Sequence, residues 1–400
     1  MDELNSISIT ILNSSVKETR YLVSTGENYF EANALTAELL IFLKEAQNQD
    51  EGINKFIARN AKYSFKQVKE LTETIILPKI QSIRKQPSPF LYQRDLLTKE
   101  QVGMVTSGLS ILFNKYFMIA ALLIFATLDL DFFVRSKDLT TFNQQTGVLS
   151  FLFLMVFVVL SSAFHELGHA SACRYCGVEH GGIGLGLYLN FPVLYTDVTN
   201  VWQLSRRKRC LVNFAGVYFQ CLILIVLILL YETTHHFLIR YLILIINFGF
   251  LLTLNPFFKF DGYWMASDIL GVANLRQRSK EAIRYIIRKM LRKHNELPRP
   301  YLLQLRPAAR IGFLFYAVIV NIFLAFYLFY MIPMLVYKFV GELPEEIYQL
   351  VLCLSGGVTP PFSLLHNIFS QVLFFSVIIY MFVRMVKPYF NKDRLHNESR

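Results

Sequence analysis

Apolar positions fall into two regimes along this chain: short periods before residue 83, and long uninterrupted runs after residue 109. Residues 6–12 alternate Ile7, Ile9 and Ile11 with polar neighbours, the period of a half-buried strand. Residues 20–24 and 28–31 read as two further strands, with Gly26 as the turn residue between them. Helices are predicted over 34–46, 51–60 and 64–76, the last capped by Ser64. Strands followed by three short helices predict a small winged-helix-like α+β domain over 1–82. Gln86-Pro87-Ser88-Pro89 marks a linker, placed over 83–108.

Beyond it, apolar runs near 111–130, 147–171, 211–231, 237–256, 311–336 and 362–386 approach the roughly 20 residues that cross a bilayer as a helix. The fold class that follows is mainly α: a polytopic membrane protein with about six transmembrane helices over 109–390 and a tail over 391–400. Composition agrees, since 54% hydrophobic and 15% aromatic residues exceed what a soluble domain carries. The chain opens on Asp2 and Glu3 with no visible signal peptide.

A net charge of +11 would point to nucleic acid in a soluble protein. Here Lys and Arg sit between apolar runs, which argues against nucleic acid and for orientation against membrane lipid. The segment 262–309, read as a basic cytosolic loop, holds Arg276, Arg278, Lys280, Arg284, Arg288, Lys289, Arg292 and Lys293. Arg206, Arg207, Lys208 and Arg209 precede the third run, and Lys387, Lys392 and Arg394 follow the last. Residues 337–361, read as an external loop, set Glu342, Glu345 and Glu346 against Lys338. The positive-inside rule then predicts a multi-pass protein of the cell membrane with both termini cytosolic.

Chemistry concentrates in His165-Glu166-Leu167-Gly168-His169, at the end of the second apolar run. Two histidines four apart share a helix face and can reach one Zn²⁺. Glu166 beside them can take a proton from the attacking water. The plain alternative is a pair of satisfied polar side chains at a helix end. The cost of His and Glu inside a membrane favours function. A third ligand is needed, and Leu254-Asn255-Pro256-Phe257-Phe258-Lys259-Phe260-Asp261-Gly262 supplies Asp261. Alone, an Asp-Gly pair is a turn. In the predicted topology, however, helices two and four run the same way, so both motifs reach the cytosolic side at similar depth. Pro256 stops the fourth helix there, and irregular backbone at such depth lines a cavity or is buried in protein.

These paired motifs resemble the site-2 protease family of intramembrane zinc metalloproteases. Phe191-Pro192-Val193-Leu194-Tyr195-Thr196-Asp197-Val198 and Asp261-Gly262-Tyr263-Trp264, with Asp268, Asn274 and Leu275 downstream, are similar to its bacterial peptide zinc metalloprotease branch. The resemblance covers roughly 110–390. It implies that His165, His169 and Asp261 ligate zinc, that Glu166 is the general base, and that Asn255 helps hold the substrate chain. Phe260 stands where the family motif usually has Leu, and the motif's extra prolines are absent. That branch accompanies maturation or export of ribosomally made peptides, which implies a precursor peptide substrate and a peptide-modifying enzyme or exporter as partner. Residues 20–33 and the three helices after them resemble the small peptide-chaperone domain of pyrroloquinoline quinone biosynthesis, which captures a leader along a sheet edge. The alternative is a cytosolic cap with no ligand.

Gly181 to Leu189 alternates small and apolar residues, a strand pattern too short to span. The family comparison makes 181–197 a re-entrant strand whose edge binds extended substrate; the alternative is a flexible Gly-rich loop. Ile283, Ile286, Ile287, Met290 and Leu291 recur at helical spacing among basic residues, which fits a helix on the anionic inner leaflet or one packed on the protein's own cytosolic face. Five scattered cysteines argue against a disulfide framework, and Cys173 and Cys176 read as reduced cytosolic thiols. Two rivals to the hydrolase remain. One is a non-catalytic membrane component of a peptide export or modification complex, which would not need Glu166. The other is a metal transporter, which would carry ionisable residues along several helices rather than at one depth.

Overall fold

A computed structural model describes residues 4, 7–25, 28–84, 90–135, 148–188, 191–291 and 301–397. Gly26, the 86–89 stretch, Arg292 and Lys293 lie outside the described residues. The chain divides into two compact units, Met1–Gly186 with Pro192–Ile319, and Leu187–Phe191 with Val320–Arg400.

In the first unit, β1 (Ser8–Leu12), β2 (Arg20–Thr25) and β3 (Asn28–Asn33) form an antiparallel sheet in the order β1-β2-β3. Ile9 pairs with Val23 and Leu22 with Glu31. Val23 and Ala32 bury one sheet face against Leu39, Leu40 and Leu43 of α1 (Ala34–Glu45) and Ile53 and Phe56 of α2 (Gln49–Arg59). Side-chain caps start these helices, the second at Gln49, two residues before its expected start: Asn33 and Asn48 accept from Thr36 N and Glu51 N, each at 2.8 Å. Ser64 and Gln67 close a capping box at α3 (Phe65–Leu71). The third helix runs past its predicted end through a π turn, Thr72–Ile76, into α4 (Leu77–Arg84). Pro78 lacks a donor N–H, and the wider turn before it accommodates that loss.

From Phe90 onward, the stretch read as a linker is regular secondary structure. It contains β4 (Phe90–Leu97) and α5 (Lys99–Leu109). A Thr98-x-x-Gln101 capping box fixes the start of α5, with Thr98 N donating to Gln101 Oε1 at 2.9 Å.

Among the described residues, five helices are long and apolar enough to cross a membrane: Lys115–Arg135 (α6), Val148–Cys176 (α7), Arg206–Thr234 (α8), the run Pro307–Ser355, and Ser363–Tyr380. A shorter apolar helix, Phe237–Thr253 (α9), follows α8. The protein is thus a mainly α, polytopic membrane protein with a small N-terminal α+β region. The four basic residues expected before the third helix are its first turn instead. The 262–309 segment is not a plain loop but holds α10 (Asp261–Leu270), α11 (Leu275–Met290) and α12 (Tyr301–Gln304). α13 (Pro307–Phe326) follows and crosses into the second unit.

α7 and α8 pack closely because their contact is small on both sides. A β-carbon on Gly168 would lie 2.5 Å from the Ala215 carbonyl oxygen. The loop between β1 and β2 is joined to the α10–α13 region by backbone bonds, Ser15 N to Gly271 O (2.9 Å), Lys17 N to Gln304 O (3.0 Å) and Arg306 N to Ser15 O (3.1 Å).

In the second unit, a π turn (Tyr327–Met331) leads into α14 (Ile332–Ser355), and α15 (Phe362–Asn397) runs into the stretch read as tail. Helix replaces most of the expected 337–361 loop. Val340, Leu343, Ile347, Val351 and Leu354 recur every three or four residues, a helical period that the acidic count had hidden. Glu346 accepts from Asn367 Nδ2 (3.2 Å) and Gln371 Nε2 (3.0 Å), which ties α14 to α15.

Candidate metal centre

A helix interior and a helix start supply the site: α7 does not end at the His-Glu-x-x-His motif, as the apolar run suggests, but continues to Cys176. His165 and His169 lie one turn apart on α7, and each is less than a tenth exposed. α9 ends at Thr253, and Pro256 prevents its continuation. Asn255 Oδ1 accepts from Phe257 N at 2.8 Å, which folds the chain back so that α10 begins at Asp261. A β-carbon on Gly262 would lie 2.1 Å from the Leu254 carbonyl oxygen, so only glycine lets α10 start against the end of α9.

The turn brings Asp261 Oδ2 to 3.0 Å from His165 Nε2 and 3.2 Å from His169 Nε2, with the two Nε2 atoms 3.1 Å apart. The other ring nitrogens are committed. His165 Nδ1 donates to Gln220 Oε1 at 3.2 Å, and His169 Nδ1 donates to the Val212 carbonyl at 2.7 Å. Both partners are acceptors, so each neutral imidazole presents a lone pair at Nε2. Two lone pairs and a carboxylate converge on one point, an arrangement that could hold a metal ion. Zn²⁺ bound tetrahedrally at about 2.0–2.1 Å separates its ligand atoms by about 3.3 Å. The observed triangle is of that size, and the donor set is one that zinc takes. Among the described residues this is one group of three potential ligands whose atoms lie within 4.8 Å of one another.

The surrounding residues hold this geometry. Gln220 Nε2 donates onward to Ser161 Oγ at 3.4 Å. A β-carbon on Gly216 would lie 2.3 Å from His165 Nε2, so glycine leaves room for the ring. α10 is anchored two turns past Asp261: Asp268 accepts from Arg209 Nε at 2.5 Å and from Asn213 Nδ2 at 3.0 Å. Arg209 also lies over the Trp202 ring at 5.2 Å. Burial holds the Asp268 carboxyl above its usual range against the pull of Arg209.

Glu166 is half-buried, and its carboxylate interacts electrostatically with His169, His165 and Asp261. The Thr196 hydroxyl donates to the Glu166 carbonyl at 3.2 Å. Thr196 ends β6 (Phe191–Thr196), an outer strand of a sheet ordered β4-β5-β6, with β5 at Ile183–Tyr188. The Gly-rich stretch is therefore strand rather than loose loop through Tyr188. Gly181 N donates to Asp197 O at 2.8 Å to close its base, and Tyr195 crosses Gly184 to donate to Asp95 Oδ1 at 2.8 Å. Cys173 and Cys176 are buried free thiols.

All three expected ligands meet, with Glu166 beside them; Asn255 shapes the turn that delivers Asp261. Sequence reasoning missed Gln220, Gly216 and the Arg209–Asp268 pair. Gln220 had a signal, as an amide inside an apolar run. The other two show only when helices are packed.

Over 89 residues the chain is 24% identical to protein YydH of Bacillus subtilis (strain 168), provisionally named a peptide zinc metalloprotease. The likeness is to a zinc metalloprotease. It covers 22% of this chain and 35% of that protein, so the chain spans about a third of its relative's length. No family model and no solved structure matches.

Proposed function

We propose that this chain is a zinc-dependent membrane endopeptidase of the intramembrane site-2 protease kind, acting on a ribosomally synthesised precursor peptide during its maturation or export. The observation that carries the reading is the convergence of His165 Nε2, His169 Nε2 and Asp261 Oδ2, each imidazole fixed by a bond from its other nitrogen. These three residues would hold Zn²⁺, which when bound supplies Lewis acidity toward a peptide carbonyl and acidifies a water.

The protein's own groups do the rest. Glu166 accepts the proton of the attacking water and returns it to the leaving amine. Apolar helices around the site limit bulk water, which strengthens every charge interaction within it. The outer strand β6 presents a pairing edge on which a substrate can lie extended, its carbonyls exposed to attack, and Thr196 fixes that strand against Glu166. Asn255 helps to hold the substrate chain beyond its turn. The N-terminal domain captures the leader along β3, an outer strand of its sheet. The chain lies in the cell membrane with both termini and the metal centre toward the cytosol. The peptide in the relative's name agrees with the substrate class.

Purified full-length protein in nanodiscs, analysed for zinc and incubated with small peptides encoded beside its gene, tests the reading. Stoichiometric zinc and cleavage that vanishes in Glu166→Gln are expected. Absence of zinc overturns the site; zinc with no cleavage of any such peptide favours a non-catalytic export component.

A further inference from the structure

We propose that the distal half of α11 is a docking surface for an anionic lipid bilayer. The helix presents three stripes. Leu275, Ser279 and Ala282 are buried and hold it to the protein, Leu275 and Ala282 in the cluster that contains Tyr263 and Phe313. At 100° per residue, Ile283, Ile287 and Leu291 form a second stripe about a quarter-turn or a little more round the helix. Ile287 is 50% exposed, Leu291 64%, and Met290 at the stripe's edge 78%. Lys280, Arg284 and Arg288 form a third stripe beyond it, with Lys289 near the end. A helix buried only in its own protein would not leave the middle stripe apolar and open, and a helix in bulk water would make it polar.

Charge selects the occupant. Arg278 is occupied by Glu281 at 3.0 Å and Glu31 at 3.8 Å. Lys280, Arg284, Arg288 and Lys289 form no ion pair among the described residues. Lys280, Arg284 and Arg288, three uncompensated cations bordering an apolar stripe, complement lipid headgroups over acyl chains. Placement agrees: α11 lies between the apolar helix ending at Thr253 and the candidate span starting at Pro307, so both of its tethers lead to the membrane. The inference is independent of peptide hydrolysis.

Full-length protein carrying Ile287→p-benzoylphenylalanine, reconstituted in nanodiscs of phosphatidylcholine alone or of an equimolar mixture with phosphatidylglycerol, provides the test. After irradiation, mass spectrometry identifies what the side chain has captured. The expected product is a lipid adduct in which phosphatidylglycerol exceeds its share of the bilayer. In the triple variant K280E, R284E, R288E that excess should fall at least about fivefold, with zinc content and melting temperature unchanged. Capture of protein, whether this chain or a second copy, overturns the proposal. So does lipid capture that ignores headgroup charge. If the triple variant does not fold, K280Q and R284Q tested singly must each lower the excess, and two unchanged variants overturn the proposal equally.

Discussion

Gly216 of α8 lies against the His165 imidazole so closely that a β-carbon there would stand 2.3 Å from Nε2 and 2.4 Å from Cε1. The ring cannot keep its place beside even a methyl group, because Nε2 is the atom that faces Asp261. Gly216→Ala is expected to lower zinc affinity more than tenfold while the helices still form, measured by competition against a chelator with circular dichroism as the control. Unchanged affinity would show that His165 reaches the metal from another rotamer.

Gln220 acts on the same ring from the other side. Its Oε1 accepts the His165 Nδ1 proton and so keeps the lone pair at Nε2. Gln220→Leu is expected to weaken zinc binding by about 10–100-fold, and Gln220→Glu, which retains the acceptor, should restore most of it. Equal affinity in Leu and Glu variants would remove Gln220 from the site.

Glu166 is not among the three converging ligands. Glu166→Gln should therefore keep zinc at full stoichiometry and lose roughly 10²–10⁴-fold in cleavage rate, read by metal analysis and peptide mass spectrometry on one preparation. A variant that cleaves at the original rate would assign the proton transfer elsewhere.

Arg209 and Asp268 are nearly closed to solvent, with side chains 4% and 7% exposed. Asp268→Ala leaves a buried guanidinium without its carboxylate and should cost about 3–5 kcal/mol, seen as a fall in the unfolding midpoint in detergent. The double variant R209M, D268L should recover most of that loss, since it removes both charges together. If the single variant is as stable as the parent, this pair is not what anchors α10.

Glu31 gives the seam between the N-terminal sheet and α11 a pH dependence. Burial holds its carboxyl above the ordinary 4.5, outweighing the attraction of Arg278 and Arg20. The folded chain then binds this proton more tightly than the unfolded chain, so its contribution to stability is largest at low pH and is lost as pH rises through the window above 4.5. Glu31→Gln is expected to flatten that slope in pH-dependent thermal unfolding. An identical slope in the variant would assign the titration to another group.

Strands, caps and apolar runs were legible because each is a local pattern. The period of Ile7, Ile9 and Ile11, the Ser64 cap and the spacing of His165 and His169 need no partner to be read. The helix over 340–354 is less legible although its period is equally local, because Glu342, Pro344, Glu345 and Glu346 give the segment the composition of a polar loop. The elements over 90–109 are less legible because the strand Phe90–Leu97 carries polar residues in its interior and pairs with β5, nearly a hundred residues away; the Thr98–Gln101 capping box is the local signal that marks the helix after it.

By itself, then, the sequence determined a mainly α membrane protein, the two motifs that bear the candidate metal-ligating side chains, and the candidate general base. Only the tertiary structure decided that a carboxylate 92 positions after His169 reaches both imidazoles, that Gln220 and the Val212 carbonyl set their tautomers, and that Gly216 makes room for one of them. The reason is physical. Helix type and span follow from interactions a few residues apart, whereas a metal centre depends on tenths of an ångström between separate helices, which packing alone sets.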